Sequence, residues 1–255
     1  MFSIIIPVYN SSTSLFELNK EISVFFDNQS WEYELIWVDD CSHEATKSAL
    51  QEVLKEGRSQ FCKDMTLITL PKNLGQQKAL YLGLLKAKGE YALTIDDDLQ
   101  HDIRALTILL SQAVTQNADL VFGQYISYGA GKIRKSGSKI IGTFFKMKYP
   151  VLNGHRVSSY RLIHKRLYTC LPNIEIVQMS QTFVYLSAEL LKYAMRVESV
   201  FIERRQRAYG QSGYTFIKCA KIGCQLILNY GILPHKKQEY LNEKNNDGWR
   251  RKLPN

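Results

Sequence analysis

The sequence is poor in cysteine, with five in 255 residues: Cys41, Cys62, Cys170, Cys219 and Cys224. None forms a CxxC pair or a metal-like cluster with histidine. This excludes a disulfide scaffold and a zinc module and leaves a reduced, cytosolic chain with structural thiols. Long hydrophobic runs are also lacking. The longest late apolar stretch, Ile222 to Leu233, is interrupted by Gly223, Gln225, Asn229 and Gly231. It falls short of the ~20 residues a spanning helix needs, so no bilayer crossing is expected. Phe2 to Val8 is too short for the apolar region of a secretory leader and has no basic flank, so no leader is expected either. There is no internal repeat and no low-complexity segment.

What is present is ordinary globular composition, 45% hydrophobic and 22% charged, in a length that suits one sizeable α/β domain or two small ones. The net charge of +9 is unevenly spread. Residues 132–255 hold 23 Lys+Arg against 7 Asp+Glu, while residues 1–131 hold 10 against 17. An acidic front half suits a metal site. A basic back half suits phosphates, anionic lipid head groups or nucleic acid. No nucleic-acid-binding motif accompanies the charge, so no nucleic-acid partner is expected.

Short apolar runs alternate with amphipathic stretches. Strands are expected at Phe2–Val8, Tyr33–Val38, Met65–Leu70, Tyr91–Ile95 and Asp119–Phe122. Helices are expected at Ser14–Phe26, Glu44–Glu56, Gln76–Lys86 and Ile103–Thr115. This alternation predicts βαβ units and an α/β fold with a mainly parallel sheet covered on both faces. Beyond a Gly/Ser/Lys-rich loop at Ser127–Ser138, the pattern predicts a helix at Ile140–Tyr149, a strand at Ser159–Ile163 and a single helix at Gln178–Tyr193. A strand at Val197–Arg205 and a helix at Thr215–Leu228 follow, then a polar tail from His235.

Right-handed crossovers place the carboxyl ends of parallel strands on one edge, where open α/β sheets bind ligands. Polar clusters follow the first four strands: Pro7-Val8-Tyr9-Asn10, Asp39-Asp40-Cys41-Ser42, Lys72-Asn73-Leu74-Gly75, and Asp96-Asp97-Asp98-Leu99-Gln100-His101.

The strongest chemical signal is the Asp96-Asp97-Asp98 run. Three adjacent carboxylates repel one another, and keeping them ionised calls for a cation. In an extended segment Asp96, Asp98 and Gln100 share one side. Oxygen donors of this kind favour Mg²⁺ or Mn²⁺ bridging to substrate phosphates. Asp40 offers a carboxylate to a nucleobase or ribose, although Asp-Asp also marks turns and helix caps. From Asn73 through Gly75, Ala79, Gly83 and Ala87 to Gly89, a small-residue stripe lets a helix pack close to the sheet. Arg204, Arg205 and Arg207 precede a glycine turn, and their donor forks suit phosphate oxygens.

These segments resemble family 2 glycosyltransferases, especially the subgroup that glycosylates polyprenyl phosphates, such as dolichyl-phosphate mannose synthase. The matching pieces are Ile4-Ile5-Ile6-Pro7-Val8-Tyr9-Asn10, Val38-Asp39-Asp40-Cys41-Ser42, the Asn73–Gly89 spacing and Asp96–His101. Ser159-Tyr160-Arg161-Leu162 and Arg204-x-x-Arg207-x-x-Gly210-x-Ser212-x-Tyr214 complete the set. The resemblance implies a glycosyltransferase-A fold, Rossmann-like. It also implies one domain over residues 1–230, with a nucleotide-sugar half (1–123), an acceptor half (124–230) and a basic tail (231–255).

In that resemblance Pro7, Tyr9, Val38 and Asp40 line the nucleoside pocket. Asp96 and Asp97 serve the nucleotide sugar, and Asp96, Asp98 and Gln100 serve the metal. Asp98 is the catalytic aspartate, while Arg204 and Arg207 contact phosphate. The implied reaction is inverting transfer from a nucleotide-diphosphate sugar to a lipid-linked acceptor. The expected location is the cytoplasm, peripheral at the inner face of the membrane; the basic, partly apolar Thr215–Leu233 segment suits either a position on that leaflet, presenting Lys218 and Lys221 to anionic head groups, or a plain core helix. A homodimer is compatible with this reading.

The sequence departs from the family pattern at three places. Ser11 replaces an acidic residue, Gln124-Tyr125 stand where an arginine is usual, and Gly213 replaces a lysine. Gln178–Gln181 carries no acidic pair near where hydroxyl-using relatives hold a base, which favours a phosphate acceptor. The missing arginine and lysine favour a sugar hydroxyl of a lipid-diphosphate saccharide.

Overall fold

The computed structural model describes residues 1–56, 59–125, 141–203, 205 and 216–231. A seven-stranded sheet runs in the order β3-β2-β1-β4-β6-β5-β7. Its strands are β1 (Phe2–Val8), β2 (Tyr33–Asp39), β3 (Cys62–Thr69), β4 (Tyr91–Thr94), β5 (Leu120–Tyr125), β6 (Arg161–His164) and β7 (Val197–Ile202). The pairs β1–β2, β1–β4, β2–β3 and β5–β7 are parallel. Only β6 is antiparallel, inserted between β4 and β5. The expected boundary at residue 123 falls inside β5.

Strand side chains alternate between two cores. Ile4, Ile6 and Val8 join Leu35, Trp37 and the buried faces of α1 (Leu15–Gln29) and α2 (Glu44–Lys55). Ile5, Ile36 and Val38 face α3 (Gln76–Leu84) on the other side. In α1 the buried residues Leu15, Leu18, Ile22 and Phe26 recur at helical spacing, which turns one stripe onto the sheet. Each such burial stabilises the fold by roughly 2 kcal/mol. The helix stops at Ser30, which adopts a left-handed conformation with φ 54°. Within α3 the small-residue stripe packs close to the sheet at Gly83, where an added Cβ would lie 2.5 Å from Ile5 Cγ2 and 3.1 Å from Val38 Cγ2, whereas at Gly75 it would meet nothing within 4 Å and Ala87 and Gly89 lie beyond the helix end.

After a 3-10 turn at Ile103–Ala105 comes α4 (Leu106–Thr115), and helical residues 141–148 form α5. A second 3-10 turn (Pro150–Leu152) and a short helix, α6 (Lys165–Tyr168), were not expected. The single helix expected over Gln178–Tyr193 is two: α7 (Ile176–Gln181) and α8 (Leu186–Leu191). Thr182 and Tyr185 are extended between them. The backbone N–H groups at the break find tertiary partners instead of helical carbonyls. Tyr185 N–H donates to the Tyr230 hydroxyl at 3.1 Å, and Leu186 N–H donates to Gln77 Oε1 at 3.1 Å. The last described helix is α9 (Phe216–Tyr230). No helix among the described residues is long and apolar enough to cross a membrane.

Candidate active site

β1, β2, β3 and β4 run parallel, so their carboxyl ends reach one rim. Each rim turn contains one left-handed residue: Asn10 (φ 54°), Cys41 (φ 62°), Gly75 (φ 88°) and Leu99 (φ 59°). Glycine takes this conformation freely, whereas a buried leucine takes it at a cost met by its surroundings. Here the turns brace one another. Asn10 N–H donates to Ser42 Oγ at 3.0 Å, and Asn10 Oδ1 accepts the His43 N–H at 2.8 Å. Asp39 Oδ1 accepts the Ser42 N–H at 2.9 Å, while its Oδ2 is buried with no partner among the described residues.

Asp40 is only 2% exposed. Its Oδ1 accepts the Leu74 N–H at 2.6 Å and its Oδ2 accepts the Gly75 N–H at 2.8 Å. Burial raises its carboxyl above the usual range, against those two hydrogen bonds. Asp40 therefore fixes the β3–α3 turn as its first task. Lys78, half-buried nearby, is lowered by burial and then by Lys72, with Asp40 opposing.

The three carboxylates after β4 are all partly exposed but differently held. Asp96 accepts from Gln76 Nε2 at 2.6 Å and from Ser159 Oγ at 3.1 Å, and lies 3.3 Å from His101 Nε2. The Asp97 carboxyl is pushed up to about 7, by burial first and then by Asp96 and Asp98, with the backbone of Tyr9 in the first rim turn opposing. Asp98 Oδ1 accepts the Gln100 N–H at 3.2 Å, closing the turn around Leu99.

A concentration of negative charge that holds one member near neutrality fits a divalent cation. Among the described residues no three His, Cys, Asp or Glu side chains close a complete metal shell. Mg²⁺ and Mn²⁺ often take one or two carboxylates and complete their shells with water and phosphate oxygens, so the partial set here fits them.

Beside this triad, Arg205 donates to both carboxylate oxygens of Glu21 at 2.8 and 2.7 Å, and to Asp102 Oδ1 at 3.0 Å. Its N–H donates to the Gln100 carbonyl at 3.3 Å. The chain leaving β7 is thereby pinned to α1 and to the carboxylate turn. Burial works to raise the Asp102 carboxyl, but Arg104 and Arg205 outweigh it and hold it below the usual range.

The rim thus gathers Tyr9, Asp40, Asp96, Asp97, Asp98 and Gln100. Tyr9 is 53% exposed and open to a ligand, whereas Gln100 is buried. Pro7 and Val38 are both buried, and Val38 packs against Gly83 beneath α3 because its strand position points it to that core. Arg204 and Arg207 lie outside the described residues.

Of the three residues that hold Asp96, His101 and Ser159 fall in segments noted in the sequence but were given no role there, and Gln76 was not singled out. Gln76 opens α3 directly after a rim turn, a position whose polarity was a usable signal. Ser159 reaches the rim because β6 is antiparallel: Thr94 pairs with Arg161, so it is the beginning of β6 that lies there.

The mainly parallel sheet, with helices packed on its two faces, has the glycosyltransferase-A fold of its neighbours among solved structures. The chain belongs to glycosyl transferase family 2, whose profile matches residues 3–172. It is 26% identical over 228 residues to an undecaprenyl-phosphate 4-deoxy-4-formamido-L-arabinose transferase of Aeromonas hydrophila, covering 89% of this chain and 67% of that protein. The Edwardsiella ictaluri protein of the same name is 25% identical over 225 residues, covering 88% and 66%. The chain spans about two thirds of the length of these relatives.

Solved structures of the same fold include glucosyl-3-phosphoglycerate synthase from Mycobacterium tuberculosis in complex with Mn²⁺, uridine diphosphate and phosphoglyceric acid. Its TM-score is 0.63 at 17% identity, covering 92% of this chain and 80% of that one. The S. aureus TarS 1–349 structure matches with a TM-score of 0.53 at 20% identity, covering 92% and 67%.

Proposed function

We propose that this chain transfers a sugar, with inversion, from a nucleotide-diphosphate sugar to a polyprenyl phosphate. The observation that carries the reading is the rim triad, where Asp96 and Asp98 flank a carboxyl raised to about 7 at the end of β4. Tyr9 and Asp40, with the backbones of Pro7 and Val38, would frame the nucleoside. Asp96 and Asp97 would face the diphosphate, Asp98 with Asp96 and Gln100 would hold Mg²⁺ or Mn²⁺, and Arg204 and Arg207 would reach phosphate oxygens. The cation, when bound, supplies electrophilic neutralisation of charge developing on the diphosphate.

A phosphate acceptor is already anionic and needs no general base, whereas a hydroxyl does. Helix α7 contains no carboxylate. The nearby Glu189 is buried and occupied, accepting from the Tyr230 hydroxyl at 2.6 Å and from Lys192 Nζ at 2.8 Å. Both features support phosphate. Gln124 and Tyr125 at the end of β5, where a cation would serve a phosphate, support the second reading, transfer to a sugar hydroxyl of a lipid-diphosphate-linked saccharide in surface polysaccharide assembly.

A peripheral position at the cytoplasmic membrane face is supported by α5 and α9. Lys148 Nζ donates to the Gly231 carbonyl at 3.2 Å and ties their ends together. Met147 (80% exposed) and Leu228 (70% exposed) stand out from them beside exposed Lys146 and Lys221. Apolar side chains rimmed by lysine suit an anionic bilayer surface.

The deciding experiment screens nucleotide sugars for Mn²⁺-dependent transfer to polyprenyl phosphate and, in parallel, to a lipid-diphosphate saccharide. Turnover only with the saccharide would replace the first reading by the second. Binding of nucleotide sugar with no turnover on either acceptor would make the chain a non-catalytic binding module.

A further inference from the structure

Asp96 is held by residues from two stretches that neither the nucleotide nor the acceptor accounts for. Its Oδ1 accepts from Gln76 Nε2 at 2.6 Å, and its Oδ2 accepts from Ser159 Oγ at 3.1 Å. Oδ2 also lies 3.3 Å from His101 Nε2. The Asp96 N–H donates to His101 Nδ1 at 3.1 Å, which places the proton of a neutral ring on Nε2, facing Oδ2.

Ser159 is itself fixed from below. Its carbonyl accepts from Thr94 Oγ1 at 2.6 Å and from Arg161 Nε at 3.3 Å. Arg161, 1% exposed, also donates from Nη1 to Ser187 Oγ at 2.8 Å. Gln76 begins α3 immediately after Gly75, whose N–H is held by Asp40. Both arms of the clamp therefore grow from rigid elements.

A carboxylate offers about four lone-pair sites. Ser159 and His101 face Oδ2, and Gln76 takes one site on Oδ1. We infer that Gln76 and Ser159 are positioning residues that hold the Asp96 carboxylate in one rotamer for a divalent cation. This rests on the metal dependence proposed above. It also gives the Ser159–Leu162 segment and the start of the small-residue helix a shared purpose, since both converge on one carboxylate. Partners that orient a ligating carboxylate govern metal affinity by fixing its rotamer before the ion arrives.

The test uses the full chain and Mn²⁺, titrated alone and with uridine diphosphate, with free Mn²⁺ read by electron paramagnetic resonance. Ser159→Ala and Gln76→Met each remove one donor at nearly constant shape. Each is expected to weaken Mn²⁺ binding by about 10–100-fold, with a metal-free melting temperature close to that of the parent. Ser159→Thr keeps the hydroxyl and is expected to recover most of the affinity. If Ser159→Ala does not fold, Gln76→Met, on a separate element, carries the same comparison.

Variants that fold and bind Mn²⁺ within about twofold of the parent would overturn the positioning roles while leaving the metal reading intact. A parent chain that takes up no Mn²⁺ under either condition would overturn the metal reading and the inference together.

Discussion

The Asp40 carboxylate holds the turn at Gly75: Oδ2 accepts the Gly75 N–H at 2.8 Å while Oδ1 accepts that of Leu74 at 2.6 Å. A side chain at the end of one strand thereby sets the backbone at the end of the next. In Asp40→Asn one oxygen becomes an NH₂ group that faces a backbone N–H. The expected cost is about 1–3 kcal/mol of stability, measured by urea unfolding, together with a raised KM for the nucleotide sugar. Unchanged stability would mean that the turn does not depend on this carboxylate.

Asp98 Oδ1 accepts the Gln100 N–H at 3.2 Å and so closes the turn around Leu99 beside the other two carboxylates. Asp98→Ala is expected to lower kcat/KM for sugar transfer by at least about a hundredfold, because metal-assisted charge stabilisation contributes several kcal/mol at about 1.4 kcal/mol per factor of ten. Circular dichroism should show a folded chain. Retained turnover would remove Asp98 from the reacting centre.

The Asp97 carboxyl shifts from 3.8 to about 7 in the fold. The folded, metal-free chain therefore binds a proton that the unfolded chain releases. Its contribution to stability is favourable near pH 4 and is progressively lost as pH climbs to about 7. A cation favours the ionised triad, so the rise in melting temperature caused by Mn²⁺ should be larger at about pH 8 than at about pH 5. Differential scanning fluorimetry at the two pH values checks this, and an equal rise at both would separate Asp97 from the metal site.

Tyr230 closes the second core over α8. Its hydroxyl donates to Glu189 Oε1 at 2.6 Å and accepts the Tyr185 N–H at 3.1 Å, with Lys192 Nζ 5.0 Å from its ring centroid. Tyr230→Phe leaves a buried carboxylate oxygen and a backbone N–H without that partner. The expected loss is about 1–3 kcal/mol in urea unfolding, with faster hydrogen exchange in α8 and α9. Exchange confined to the termini would show that the hydroxyl is dispensable.

Much of the parallel part of the molecule was legible in the sequence. The strands β1 to β4 ended in polar clusters because parallel geometry sends their ends to one rim. The Gly83 stripe was readable because close packing needs small residues at helical spacing. Three features were not legible, each for a physical reason. The role of Ser159 was hidden because it lies just before a strand that runs the other way, so a search of strand carboxyl ends passes it by. The expected long helix breaks at Thr182–Tyr185 because Gln77 and Tyr230, distant in sequence, capture the backbone donors there. Val38 adjoins the acidic pair yet turns inward, since alternate strand residues face opposite sides.

The reversed strand β6 also governs how the chain can be divided. β5, made early in the chain, has only β6 and β7 for neighbours, and β4 meets β5 only through β6. A fragment stopping near residue 123 would strand the last of its own β-segments without a partner and leave the β4 flank bare, an invitation to intermolecular pairing. The front and back halves of the chain are thus interlaced in a single sheet, and shuffling one against another family member means exchanging β6 along with it.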